Sequence, residues 1–212
     1  MEILMDLEIK RLTVGPVMTN CYIVNVKGSE EAVIVDPGDN AYKIENKLNE
    51  LKLKPVAILL THGHFDHISA VSELKERFGL KVYALDKEKE ILNSELNLSR
   101  AFGFDLINID ADIYLTDNQI INVAGIDFKV IHTPGHTIGS CCYFVESEKV
   151  LFSGDTLFFH SHGRTDFPTG SQSAIIRSIT EKLLTLDEDV KVYPGHEEET
   201  TIGSERKLYA IY

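Results

Sequence analysis

The chain is poor in several things, and each shortage removes a class of protein. Cysteine is the first: its 212 residues contain three, Cys21, Cys141 and Cys142. That number is odd and no pair is spaced C-x-x-C, so we read all three as core or near-core thiols of a reducing, cytoplasmic compartment. Cys141 and Cys142 are adjacent, so on a strand they point to opposite faces. Long apolar runs are also missing, and none approaches the length of a membrane span. Residues 1–10 are acidic and lack the apolar core of a secretory signal. Positive charge is scarce, with 21 Lys and Arg against 33 Asp and Glu, a formal net charge of −12. Such a balance repels a phosphate backbone, so the expected partner is a small molecule and not a nucleic acid or a membrane. There is no internal repeat, low-complexity tract or linker. With 43% hydrophobic residues, the expectation is one soluble globular domain over 1–212 with a sizeable core.

Apolar periodicity marks the elements. Strands are predicted at 7–14 (an edge strand), 21–26, 32–35, 56–60, 81–85, 119–123, 126–132, 140–145, 150–153 and 190–193. Helices are predicted at 40–51, 66–78, 86–93, 171–184 and 200–209. Pro55 is placed between the first helix and the 56–60 strand, Gly79 stops the second helix, and Asp86 is read as a cap. The polar stretch 94–110 has no firm assignment and is a candidate lid over a site. Two blocks of strands, each followed by helices, suggest an α/β architecture of two stacked sheets with helices outside.

The chemistry concentrates in Thr61-His62-Gly63-His64-Phe65-Asp66-His67, directly after the 56–60 strand. Three of the eight histidines fall here with a carboxylate among them, the residue types that ligate first-row metals. His62 and His64 are two apart, so in an extended loop they point the same way and can grip one ion. Asp66 and His67 fall where a helix begins and the chain turns, so they can face a second point. One stretch thus offers two half-sites, as a two-metal hydrolytic centre needs. Three later segments repeat one design, a strand ending in a tight turn with Gly just before a ligand-type residue. They are Val130-Ile131-His132-Thr133-Pro134-Gly135-His136, Val150-Leu151-Phe152-Ser153-Gly154-Asp155 and Val192-Tyr193-Pro194-Gly195-His196. Gly at those points implies a close approach of the backbone to something else.

The set T-H-G-H-F-D-H, H-T-P-G-H-T-I-G-S, S-G-D-T-L-F and Y-P-G-H resembles the metallo-β-lactamase superfamily, over a span from about Asp36 to His196. The resemblance implies a four-layer αββα sandwich of two mixed β-sheets with helices on the outer faces. By position it implies one metal on His62, His64 and His136, a second on Asp66, His67 and His196, and Asp155 bridging them. Asp36 would support the histidine loop from behind. The implied cofactors are two divalent ions, zinc by default, although such nitrogen and oxygen donors also accept iron or manganese. Within the superfamily, G-D-T-L-F, G-R-T-D-F-P and P-G-H-E-E-E-T-T-I-G are similar to glyoxalase II-type hydroxyacylglutathione hydrolases. That implies hydrolysis of an S-2-hydroxyacylglutathione-like thioester by a metal-bridging hydroxide that Asp66 orients. The thiol can leave as a thiolate without a strong general acid.

The chain departs from larger glyoxalase II enzymes in two ways. It is expected to lack their C-terminal glutathione-gripping helical domain, and it has Arg164 and Asp166 where they have a lysine and a tyrosine. Arg164 has two readings, a fork for a substrate carboxylate or an internal ion pair with Asp166. His160 and His162 are read as exposed and His132 as a structural donor at a strand end. Asp166, Tyr209 and Tyr212 receive no role. A rival reading comes from G-R-T-D-F, which is also similar to the persulfide dioxygenases of the superfamily. Those use a single iron, here on His62, His136 and Asp155. A non-catalytic metal-binding module is the other rival, and it sits poorly with seven filled ligand positions.

Overall fold

The computed structural model describes residues 6–209. Residues 1–5 of the N-terminal stretch, and Tyr212, lie outside the described residues. The first sheet holds β1 (Leu7–Val14), β2 (Thr19–Val26), β3 (Glu31–Val35), β4 (Lys54–Leu59), β5 (Lys81–Leu85) and β6 (Ile113–Leu115), in that order across the sheet. The second holds β7 (Ile120–Val123), β8 (Ile126–His132), β9 (Cys141–Val145), β10 (Val150–Gly154), β11 (Lys191–Pro194) and β12 (Thr200–Thr201), again in sequence order. Both sheets are mixed: β3 to β6 run parallel, as do β10 and β11, and the other neighbours are antiparallel. The helices are α1 (Ala41–Leu51), α2 (Phe65–Ile68), α3 (Val71–Phe78), α4 (Lys89–Leu92), α5 (Gln172–Arg177) and α6 (Ile202–Tyr209).

Three apolar layers result, as the four-layer αββα expectation requires. Ile34, Ile58 and Val82 on one face of the first sheet meet Ile44 and Leu48 of α1 and Leu74 of α3. Tyr22, Val35 and Leu59 on its other face meet Phe128, Tyr143 and Phe152 of the second sheet. Cys142, Leu151 and Val192 on the far side of the second sheet meet Ile175, Ile179 and Ile202. Because both faces of β3 and β4 are covered, these strands read as nearly unbroken apolar runs. Cys141 lies in the middle layer and Cys142 in the outer one, as strand alternation demands. Burial pushes all three thiols up, Cys142 to about 11. No helix among the described residues is long and apolar enough to cross a membrane.

Several boundaries differ from the sequence expectation, each for a local reason. Pro55 lies inside β4, not before it, at an irregularity where Ala32 pairs with Pro55 and Val33 already pairs with Ala57; a bulge tolerates a residue without an N–H. The 66–78 helix is two helices. Ala70 N–H is drawn away to Pro37 O at 3.0 Å, and the Ser69 hydroxyl donates to Phe65 O. Asp86 is the first residue of a tight 3₁₀ turn and not its cap, a position taken by Leu85. β6 went unseen because it is three residues long. The 94–110 stretch is two short 3₁₀ turns, Glu95–Asn97 and Arg100–Phe102, in irregular chain. The 171–184 helix is α5 followed by a wider turn at Ser178–Lys182 and a tight one at Leu183–Thr185.

The topology sets up the site. β3, β4, β8, β10 and β11 all deliver their C-terminal ends to one edge of the sandwich. There Cys141 N–H donates to Thr61 O at 2.9 Å, so the two sheets touch where their loops emerge.

Candidate metal centre

The site begins with Asp36, at the end of β3. Its backbone is in the left-handed region at φ 49°, which an aspartate tolerates at a modest cost. Its side chain accepts Thr61 N–H at 2.8 Å and the Thr61 hydroxyl at 2.6 Å, and lies 3.0 Å from His67 Nδ1. One carboxylate thus holds both ends of the histidine loop. Close approach explains two of the turn glycines. A Cβ on Gly154 would sit 2.3 Å from Thr61 Oγ1, and one on Gly195 would sit 2.2 Å from Asp155 Oδ1.

All seven expected side chains meet. Ligand-type atoms of His62, His64 and His136 lie within 4.8 Å of one another, as do those of Asp66, His67 and His196. Asp155 forms a third such group with His62 and His67. Its Oδ1 is 3.3 Å from His67 Nε2, and its Oδ2 is 3.4 Å from His136 Nε2 and 3.6 Å from His196 Nε2. The carboxylate therefore stands between the two groups. Asp66 Oδ2 is 3.2 Å from His196 Nε2 and accepts the Thr19 hydroxyl at 3.0 Å.

Outer hydrogen bonds fix the imidazoles. His136 Nδ1 is 2.7 Å from Arg164 O, which can only accept, so Nδ1 carries the proton. His67 Nδ1 faces the Asp36 carboxylate in the same way. The Thr61 hydroxyl donates to Asp36, so its oxygen accepts from His62 Nδ1–H at 3.1 Å. In each ring the Nε2 lone pair then points inward, the arrangement seen where partners orient metal-ligating histidines. His64 presents Nδ1, 2.9 Å from His136 Nε2.

A divalent ion fits these residues. His62 Nε2, His67 Nε2 and Asp155 Oδ1 are buried and have no hydrogen-bond partner, although such atoms cost about 1–3 kcal/mol each when left unmet. His67 and Asp155 approach within 3.3 Å without hydrogen-bond alignment. Neutral imidazole and carboxylate suit zinc, iron or manganese. Burial depresses His62 far below its usual range, helped by His67, depresses His64 to about 3, and depresses His136 too. Those three are neutral. Burial opposes charge at His67 and His196, yet the surrounding carboxylates, Asp155 foremost, outweigh it and raise both. Burial likewise opposes the anions, but His67 and its neighbours hold Asp66 down to about 2 and Asp155 well below the carboxylate range.

Sequence reasoning missed several supports. Glu88 is fully buried and accepts Gly63 N–H at 2.8 Å and the Thr137 hydroxyl at 3.0 Å, tying the His62–His64 loop to the His136 turn. Burial holds its carboxyl up at about 7, against the pull of those donors. The available signal was its spacing: Leu85, Glu88, Ile91 and Leu92 share one face of a helical path. On β2, Asn20 and Tyr22 hold the last turn. The Tyr22 hydroxyl donates to Pro194 O at 2.6 Å, and Asn20 Nδ2 donates to Pro194 O and Glu197 O.

The remaining candidates divide clearly. Arg164 turns its fork onto Asp166, with Nε at 2.7 Å and Nη2 at 2.6 Å, and lies over the Phe167 ring. His132 Nε2 donates to Ile138 O at 2.9 Å. His160 is exposed, and His162 contacts Gly163 O and Gln172, away from the cluster. Above the cluster opens a cavity of about 630 Å³. The 94–110 segment supplies part of its wall through Leu98 and Phe102, with Phe102 stacked on Phe65.

A sequence model described as the metallo-beta-lactamase superfamily matches residues 14–196. The chain is 36% identical over 207 residues to "Hydroxyacylglutathione hydrolase GloC" of Haemophilus influenzae, covering 96% of each. It is similar to the crystal structure of BLEG-1 B3 metallo-beta-lactamase, at 40% identity and a TM-score of 0.89, covering 94% of this chain and 97% of that one. It is also similar to TTHA1623 in a di-iron-bound form, at 33% identity and a TM-score of 0.85, covering 96% and 100%. With its two mixed six-stranded sheets and its histidine–aspartate cluster suited to divalent metals, the chain belongs to the metallo-beta-lactamase superfamily.

Proposed function

We propose that this hydrolase-like protein cleaves thioesters at a pair of divalent ions, acting on small molecules as a single-domain cytoplasmic enzyme. The observation that carries the reading is the completeness of the second half of the cluster. A single ion on His62, His136 and Asp155 would leave the ligand-type atoms of Asp66, His67 and His196, which converge within 4.8 Å, without a cation. One relative is named as a hydroxyacylglutathione hydrolase and one similar structure is a di-iron-bound form, which supports the reading. Two such ions lower the pKa of water to about 7 and polarise a carbonyl oxygen.

The residues do the rest. His62, His64 and His136 would hold one ion and Asp66, His67 and His196 the other, with Asp155 available to both groups. Asp66, held by Thr19, faces the cavity and orients the attacking water through its carboxylate. The thiol product has a pKa of about 8.5 and departs as thiolate, so no acid need stand opposite. Phe65, Phe102 and Phe167 keep one wall dry. Zinc is the default ion, with iron or manganese accepted by the same donors.

The test is hydrolysis of S-D-lactoylglutathione and a thioester panel by metal-analysed protein, with oxygen uptake on glutathione persulfide measured beside it. Two ions per chain, thioester turnover and no oxygen uptake are expected. One iron per chain with oxygen uptake would replace this reading by the persulfide dioxygenase one.

A further inference from the structure

β1, the edge strand of the first sheet, has residues that pack against the inter-sheet core and residues that line the cavity. Leu7 and Ile9, on one face of the strand, pack against the inter-sheet core. Arg11 and Thr13 follow on the same face by strand alternation and line the cavity. Arg11 Nη1 donates to Glu197 O at 3.2 Å, which holds the side chain at the rim without neutralising it. The two guanidiniums of the cavity wall therefore differ. Arg164 spends its fork on Asp166. Arg11 forms no ion pair with any described residue, even though Glu197 lines the same cavity and the protein carries a net charge of −12. The same cavity is lined by apolar Val17 and Met18, which are 40% and 67% exposed.

We infer that Arg11 is a specificity-determining residue that receives a carboxylate of the substrate, and that the preferred thioesters carry one carboxylate beside an apolar arm. The inference rests on the thioester reading above. A guanidinium matches a carboxylate in fork geometry, and such charge-assisted bonds are roughly twice as strong as neutral ones. A polyphosphate carrier would call for several cations. This wall offers a single free one beside an acidic neighbour, so a monoanion is the better match. The expectation that Arg164 reads the substrate carboxylate is thus redirected: a substrate would first have to displace Asp166 from it.

The test compares metal-loaded wild type with Arg11→Met and Arg11→Lys on two acyl thioesters, one of 3-mercaptopropionate and one of its amide. Wild type should prefer the carboxylate thioester. Arg11→Met should raise KM for it about tenfold or more, leave kcat within about twofold and leave the amide thioester unchanged, while Arg11→Lys recovers part of the loss. A coenzyme A thioester is run alongside. Binding of the non-hydrolysable thioether analogues of both carriers is measured by calorimetry, so the inference stands or falls even without turnover. If neither thioester is hydrolysed but the carboxylate thioether still binds through Arg11, the proposed reaction fails and the subsite survives. Equal losses on the carboxylate and amide compounds would mean that Arg11 only steadies the Glu197 turn, and would overturn the inference. So would a loss confined to the coenzyme A thioester.

Discussion

The two halves of the cluster use opposite electrostatic solutions. His62, His64 and His136 are buried, uncharged and nearly perpendicular to one another, with ring centroids 4.6–4.9 Å apart. Asp66, His67 and His196 form a mixed-charge group, and two of its side chains reach solvent, Asp66 at 14% and His196 at 18% exposure. Neutral imidazoles are inexpensive to bury and keep their lone pairs free for a cation. The charged half must balance itself, and its carboxylates raise the pKa of both its histidines. One half is thus prepared for a metal by desolvation and the other by internal ion pairing. Acid should therefore empty the second half first.

Asp155→Ala removes the residue common to both halves. Metal content should fall toward zero and hydrolysis by about a thousandfold, as measured by elemental analysis and thioester assay. Separating the halves is gentler. His136→Ala and His196→Ala should each leave about one ion per chain, with cobalt spectra reporting different remaining donors. Glu88→Ala sharpens the contrast further, because Glu88 serves the first half alone. Metal affinity there should weaken about 10–100-fold, and stability should drop by about 1–3 kcal/mol with Gly63 N–H left unmet.

The pH dependence of the metal-free protein follows from the same carboxyl. Burial raises Glu88 from 4.5 to about 7. Its contribution is fully present below pH 4.5 and is lost as pH rises through about 7. Against Glu88→Gln, wild type should lose on the order of 3 kcal/mol across that window, read from thermal unfolding in a pH series. The smallest effect is expected for Thr19→Val, which removes one hydroxyl from Asp66. It should cost about tenfold or less in kcat and leave the first-half ion in place, which metal titration would check.

The ligands were legible because each stands at the end of an apolar strand, a local pattern that needs no knowledge of the partner. Their supports were not, because each acts across a long stretch of chain. Glu88 reaches back to Gly63 and forward to Thr137, and Tyr22 reaches Pro194, 172 residues away. The break in the 66–78 helix follows the same logic, since Pro37 O, from a different loop, captures Ala70 N–H. Charge pattern misled at Glu88, which reads as one more acid on a solvated face of a D-K-E-K-E run. Arg164 could be narrowed only to two readings, and the fork it forms with Asp166 needed coordinates to see.

The bond from His136 Nδ1 to the Arg164 carbonyl has a further meaning. The peptide that aims this imidazole belongs to the same residue whose guanidinium clasps Asp166 and covers Phe167. Backbone and side chain of one residue thus serve two neighbours, the carbonyl steadying His136 and the guanidinium ordering Asp166 and Phe167.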